Sequence, residues 1–224
     1  IRSLKMGVSH SPKIITDGLK FVVDGNDKNS YSGTGTSVTD VATNTSNGTI
    51  TGATFNSDGY WDFDGTDDVI RFSSMSGNSS EHTAEVWVNH DSTSNNNILF
   101  NTNGQGLYPR IMLISNVVRA QYNNGSTRLI NGVTISTGVW NCFAFTYNTL
   151  SGGKLYVDGS LVGSDSNTGA LGTSQGFNMD LGRDTNLNRF LNGKIANVKI
   201  YHKELTSAQI LDSYNLYKSR FEAL

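Results

Sequence analysis

The chain is 224 residues long, 36% apolar and 16% charged, with a formal charge of −2. So balanced a composition supplies no basic field to hold a polyanion, which argues against nucleic acid as a partner. No stretch approaches the roughly 20 apolar residues of a membrane span, the first twelve residues lack the apolar segment of a secretory leader, and the lone cysteine, Cys142, excludes an internal disulfide framework.

Residues 1–17 read as an N-terminal extension and 18–224 as one domain, because no linker or compositional break divides the latter. Within it, short apolar runs are separated by Gly/Asn/Asp/Ser clusters, which is the pattern of strands joined by turns. In chain order the expected strands are 19–24, 60–64, 69–72, 84–90, 98–101, 110–114, 118–122, 128–130, 139–147, 154–157, 160–162, 179–181 and 194–201. Alternation is sharpest at Ala84-Glu85-Val86-Trp87-Val88-Asn89, which places Ala84, Val86 and Val88 on a core face and Glu85, Trp87 and Asn89 on a mixed one. Residues 139–147 carry apolar side chains on both faces and so belong in a central strand covered on both sides.

Asp158-Gly159 predicts a two-residue hairpin, since both central positions need positive φ. Asp24-Gly25, Asp64-Gly65 and Asn123-Asn124-Gly125 mark further strand ends. One helix is expected to start after Thr206 and run to about residue 219. Thr206 and Gln209 form a capping box, Leu205 and Ile210 a hydrophobic staple, and Ile210, Leu211, Tyr214 and Tyr217 an apolar stripe. The expected class is all-β: an antiparallel jelly-roll β-sandwich with one C-terminal helix.

Several motifs carry a family resemblance. Phe63-Asp64-Gly65-Thr66-Asp67-Asp68, Glu85-Val86-Trp87-Val88, the run Gly138 to Tyr147, Leu155-Tyr156-Val157-Asp158-Gly159, Leu181-Gly182-Arg183 and Phe190-Leu191-Asn192-Gly193-Lys194-Ile195 together resemble the laminin-G-like, concanavalin A-like domain family. The leading segment, Ser11 to Leu19 and Ser30 to Thr36, is similar to short stand-alone laminin-G-like virion structural proteins of tailed, particularly marine, bacteriophages. The resemblance implies a non-catalytic virion-surface protein in a capsid-decoration, knob or tail-fibre position. Its implied partners are other virion structural proteins and host surface glycans, and it implies an oligomer or lattice. The alternatives are a secreted or cell-surface bacterial lectin-like carbohydrate-binding module and, third, a glycoside hydrolase. Two departures stand out: Asn141 and Cys142 occupy positions where the family often has two histidines, and the loop around Asp40 is altered.

No catalytic set emerges from the residues. The nearest imitation of a glycosidase strand motif, Glu81-His82-Thr83-Ala84-Glu85, separates its acids by about 13 Å along a strand, against about 5 to 9.5 Å in glycosidases. His10, His82, His90 and His202 belong to no nucleophile motif. No cofactor is required, although Asp64, Asp67 and Asp68 crowd one turn and offer the hard oxygens that calcium takes; the resemblance implies calcium at a sandwich rim. For glycan binding, Tyr108, Arg110, Tyr122, Asn124 and Arg128 fall on consecutive strands or their ends, where antiparallel pairing can gather an aromatic platform with amide and guanidinium donors. An ordinary solvent face with scattered tyrosines is the competing reading. Arg183, Asp184 and Arg189 flank a turn, either as a rim contact or as a local ion pair.

Overall fold

The computed structural model describes residues 13–77, 80–92, 97–103, 110–172, 175–184 and 189–224, with the backbone alone for 97–103 and 175–176. In chain order the elements are β1 (Leu19–Asp24), β2 (Ser37–Val38), β3 (Gly48–Thr51), β4 (Thr54–Asn56), β5 (Tyr60–Asp64), β6 (Val69–Ser76), β7 (Glu81–His90), β8 (Asn97–Asn103) and β9 (Arg110–Ile114). There follow β10 (Val117–Asn123), β11 (Thr127–Thr134), β12 (Trp140–Asn148), β13 (Gly152–Val157), β14 (Ser160–Asp165), β15 (Gln175–Leu181), β16 (Arg183–Asp184), β17 (Arg189–Phe190), β18 (Asn192–Tyr201) and α1 (Ser207–Phe221).

Two antiparallel sheets face each other, as the composition predicts. The first runs β14-β13-β12-β7-β18-β5-β4, and the second β11-β10-β9-β8-β15-β6-β3-β2. β18 is long enough to pair twice along one edge: Asn192 to Ile195 with β5 and Asn197 to Tyr201 with β1. Between them the chain bulges at Ala196, whose carbonyl accepts the Gly25 N–H. Alternate residues from both sheets meet in one core, with Trp61, Val86, Phe143, Phe145 and Leu155 opposite Ile70, Phe72, Leu113, Val118 and Met179. The β13–β14 hairpin turns at Asp158 (φ 51°) and Gly159 (φ 78°), the paired positive angles its sequence demands.

The outer face of the first sheet is closed by α1. The Trp87 ring stacks on Phe221 with centroids 4.2 Å apart and on Tyr214 at 5.5 Å, while Ala144, Tyr156 and Tyr201 pack against Leu205 and Ile210. This corrects the expectation of a mixed outer face at Glu85, Trp87 and Asn89: all three are buried. Glu85 tolerates burial because the Lys199 ammonium lies 2.6 Å from its Oε2 and the Ser213 hydroxyl donates to the same oxygen at 2.8 Å. Burial alone would push the Lys199 ammonium down, but the Glu85 carboxylate together with the neighbouring Tyr201, Tyr217 and Cys142 outweighs it and holds the lysine above its ordinary value.

The helix starts where its cap predicts. The Gln209 N–H donates to Thr206 Oγ1, and the Thr206 N–H donates to Gln209 Oε1. The stripe differs at one position, since Leu211 is exposed and Ser213 and Phe221 are buried with Ile210. At 100° per residue the face through 210, 213, 217 and 221 meets the sheet, and 211 turns outward. Arg220 fastens the last turn, donating to Asp24 Oδ1 and to the Gly59 carbonyl, each at 2.7 Å.

Candidate binding face

The strand pairs decide which expected site residues can meet. On β10, Val118, Ala120 and Tyr122 point into the core, and their neighbours Arg119 and Gln121 point outward. Arg110 pairs with Gln121 and is therefore outward, whereas Arg128 pairs with Tyr122 and is inward at the rim. The expected glycan cluster is thus split between opposite faces of one sheet. Tyr122 is only 1% exposed, with its ring 5.0 Å from Tyr147 and 5.6 Å from Phe145. It offers no platform, and burial pushes its hydroxyl above the usual tyrosine range.

Asn124 is a loop fastener, donating to the Tyr147 hydroxyl and to the carbonyls of Asn167 and Thr168. Arg128 donates to Asn167 Oδ1 at the same rim. These corrections have one cause: period two sends adjacent strand residues to opposite faces, and nearness in sequence says nothing of the face. Tyr108 lies outside the described residues.

The acidic turn does assemble. Asp64, Asp67 and Asp68 bring carboxylate oxygens within 4.8 Å of one another, the donor chemistry of a hard divalent cation. Asp68 Oδ2 accepts the Asp64 N–H at 2.8 Å and Asp64 Oδ1 accepts the Thr66 N–H at 2.7 Å, so part of the set already serves the turn. Gly52 (φ 79°) makes room for Asp68, since a Cβ there would come within 1.9 Å of Asp68 Oδ1. Burial, assisted by the charges of Asp64 and Asp67, raises the Asp68 carboxyl above its ordinary value even though it accepts that backbone bond.

The open face belongs to the second sheet. A groove of about 390 Å³ runs across its outer side, lined by Asn47, Thr49, Thr51, Val69, Arg71, Ser73, Asn178 and Arg183. The alternation of β6 explains it: Ile70 and Phe72 are fully buried, which turns Arg71 and Ser73 out, and the β3 register sets Thr49 beside Arg71. Arg71 is fixed by a two-pronged bond, Nε and Nη2 each 2.7 Å from an oxygen of Asp180. That bond raises the Arg71 guanidinium above its usual value despite burial. Farther along, Arg110 donates to Asp184 Oδ2 at 3.0 Å and to Gln121 Oε1, and the Arg183 guanidinium lies over the Phe190 ring.

Of the expected rim residues, Asp184 therefore pairs with Arg110 and Arg183 lines the groove. The rest of the groove escaped the sequence reading because β3 is a four-residue polar strand and the Arg71–Asp180 contact spans 109 positions. The alternation at Val69-Ile70-Arg71-Phe72-Ser73 was the available signal.

The groups that resemble catalytic ones are engaged elsewhere. Glu85 is sealed under α1 with Lys199. Burial pushes the Cys142 thiol well above its usual range, and burial followed by the nearby His202 charge drives the His82 imidazole down to about 3. Asp180 and Asp184, the carboxylates behind the groove, are fully buried and each is bound to an arginine.

Among solved structures, the binding domain of botulinum neurotoxin serotype D is similar over 90% of this chain and 52% of that one, with a TM-score of 0.71 at 16% identity. The serotype D ligand-binding domain in complex with N-acetylneuraminic acid matches over 90% and 51%, with a TM-score of 0.71 at 16% identity. The serotype DC binding domain in complex with SialylT matches over 89% and 52%, with a TM-score of 0.68 at 14% identity. The chain spans about half the length of these structures, and at such identities the likeness is one of fold. No curated protein matches the chain in sequence. A family model described as the concanavalin A-like lectin/glucanases superfamily matches residues 64–211. With most of its length covered by that model and two antiparallel sheets closed over one core, the chain belongs to the laminin-G branch of the concanavalin A-like superfamily.

Proposed function

We propose that the protein is a non-catalytic carbohydrate-binding module that recognises glycans in the groove on the outer face of its second sheet. The observation that carries this reading is the asymmetry of the two sheets. One outer face is covered by α1, which leaves a pocket of about 240 Å³ at its C-terminal end lined mainly by Trp87, Trp140, Tyr214 and Phe221, while the other presents a wider groove of about 390 Å³ lined by hydroxyl, amide and guanidinium groups, the donors and acceptors that sugar hydroxyls need. The buried Asp180 carboxylate holds the Arg71 guanidinium in place before any ligand arrives, which lowers the ordering cost of binding. The neurotoxin binding domains of the same fold, two of them in complex with SialylT or N-acetylneuraminic acid, support a recognition role.

The test is a glycan array probed with the wild-type protein and with Ser73→Trp, which fills the groove from an exposed position. Loss of signal in the variant with an unchanged melting temperature is expected; binding that survives would move the site elsewhere. The setting belongs to the same proposal: a virion-surface structural protein whose module contacts host glycans, with a secreted or cell-surface lectin-like module as the alternative. The resemblance of Ser11 to Leu19 and Ser30 to Thr36 to short virion proteins is what supports the first setting. Mass spectrometry of purified particles tests it, and absence from the particle would leave the alternative.

A further inference from the structure

The neutral-looking composition hides a segregation of charge. Six of the eight arginines, Arg71, Arg110, Arg119, Arg128, Arg183 and Arg189, lie on the second sheet or on the β16–β17 ribbon beside it. No lysine falls in any of those strands, and the acids there are Asp180 and Asp184. Both aspartates are fully buried behind their arginines, so the charge this face shows to water is guanidinium. Arg71, with its side chain 39% exposed, still has Nη1 to offer beyond Asp180. Arg183 has no carboxylate partner among the described residues and stacks on Phe190 with 5.2 Å to the ring centroid.

Pairing places Arg110 and Arg119 on the outward face of β9 and β10, and from β6 to β10 the row crosses four strand spacings, about 19 Å. Guanidinium groups fixed in plane match the two oxygens of a carboxylate or sulfate in a way that an ammonium does not.

We infer, resting on the glycan-binding reading above, that the groove takes an anionic oligosaccharide, one bearing carboxylate or sulfate groups, with Arg71 and Arg183 binding the charged group and Arg110 and Arg119 extending the track. The neutral part of the lining, Asn47, Thr49, Thr51, Ser73 and Asn178, suits sugar hydroxyls. Among the described residues that line the groove there is no aromatic platform of the kind that bases stack on in single-stranded nucleic acid sites.

The test is calorimetric titration with pairs that share a backbone and differ in charge: polygalacturonate oligomers against their methyl esters, sialyllactose against lactose, and dextran sulfate against dextran. At least one charged member should bind tenfold or more tighter than its neutral twin, and the gap should narrow as salt rises from 50 to 500 mM. Arg183→Gln, which strands no buried carboxylate, should bring the charged member down to the affinity of the neutral one. The double change Arg71→Gln with Asp180→Asn should do the same without leaving an unpaired acid. Equal binding of charged and neutral twins would overturn the anionic preference and leave glycan recognition standing. Binding to no member of any pair would overturn glycan recognition itself. A single-stranded DNA oligonucleotide bound as tightly as dextran sulfate would overturn the inference by making the face a nucleic acid site.

Discussion

Lys199 and Glu85 face each other under α1 at 2.6 Å, each about 1% exposed, and Lys199→Met separates the two halves of that arrangement. At an effective dielectric of about 20 the pair attraction at this distance is about 6 kcal/mol, and desolvation of the two ions offsets most of it. The pair as a whole therefore contributes little net stability, but removing the ammonium alone leaves the Glu85 carboxylate buried with only the Ser213 hydroxyl. The expected loss is about 3 to 5 kcal/mol, which shifts a urea midpoint by about 2 M for a slope of about 2 kcal/mol/M. Replacing the whole trio, Lys199→Met with Glu85→Leu and Ser213→Ala, is expected to restore stability to within about 2 kcal/mol of wild type, because no polar group is then stranded. Urea denaturation followed by circular dichroism measures both. The account of how α1 is seated fails if the single variant loses less than about 1 kcal/mol, or if the triple variant is as damaged as the single one.

Two other expectations follow from the same packing. His82 is held neutral with its pKa down at about 3, against an ordinary 6.5, and burial lowers His90 and His202 as well. Because the unfolded chain takes up the proton first, this stability is complete above pH 6.5 and is lost as pH falls toward 3. The loss is about 1.4 kcal/mol per unit for His82, or about 2 kcal/mol by pH 5, and unfolding free energies that stay level from pH 7 to 5 would contradict it. At the acidic turn, calcium at a hundredfold excess over its Kd is expected to raise the melting temperature by about 5 to 10 °C. The exposed substitution Asp67→Asn should remove that rise, and identical melting in calcium and in chelator would take the metal out of the account.

The elements were legible where local chemistry is decisive. The capping box at Thr206 and Gln209, the Asp158-Gly159 hairpin, and the strands Leu19–Asp24, Tyr60–Asp64 and Arg110–Ile114 appear as the residues predict. Elsewhere strands were found but read short. β7 begins at Glu81 and β11 runs to Thr134, because pairing to a neighbour extends a strand through polar residues that have no strand signal of their own. The two-residue strands β2, β16 and β17 and the short β3 and β4 were missed for the same reason. The acidic turn was found because its three aspartates lie within five positions.

What the sequence determined by itself is the class of fold, since strand periodicity, turn residues and caps are local properties written into adjacent side chains. Tertiary structure alone decided the binding face. Whether Tyr122 is a platform or core depends on which partner strand fixes its side of the sheet, and whether Glu85 meets water or Lys199 depends on a helix more than a hundred residues away. The gathering of Arg71, Arg110 and Arg119 on one face likewise appears only once β6, β15, β8, β9 and β10 are ordered in one sheet, because register and sheet order are set by contacts between distant segments that no window of sequence contains.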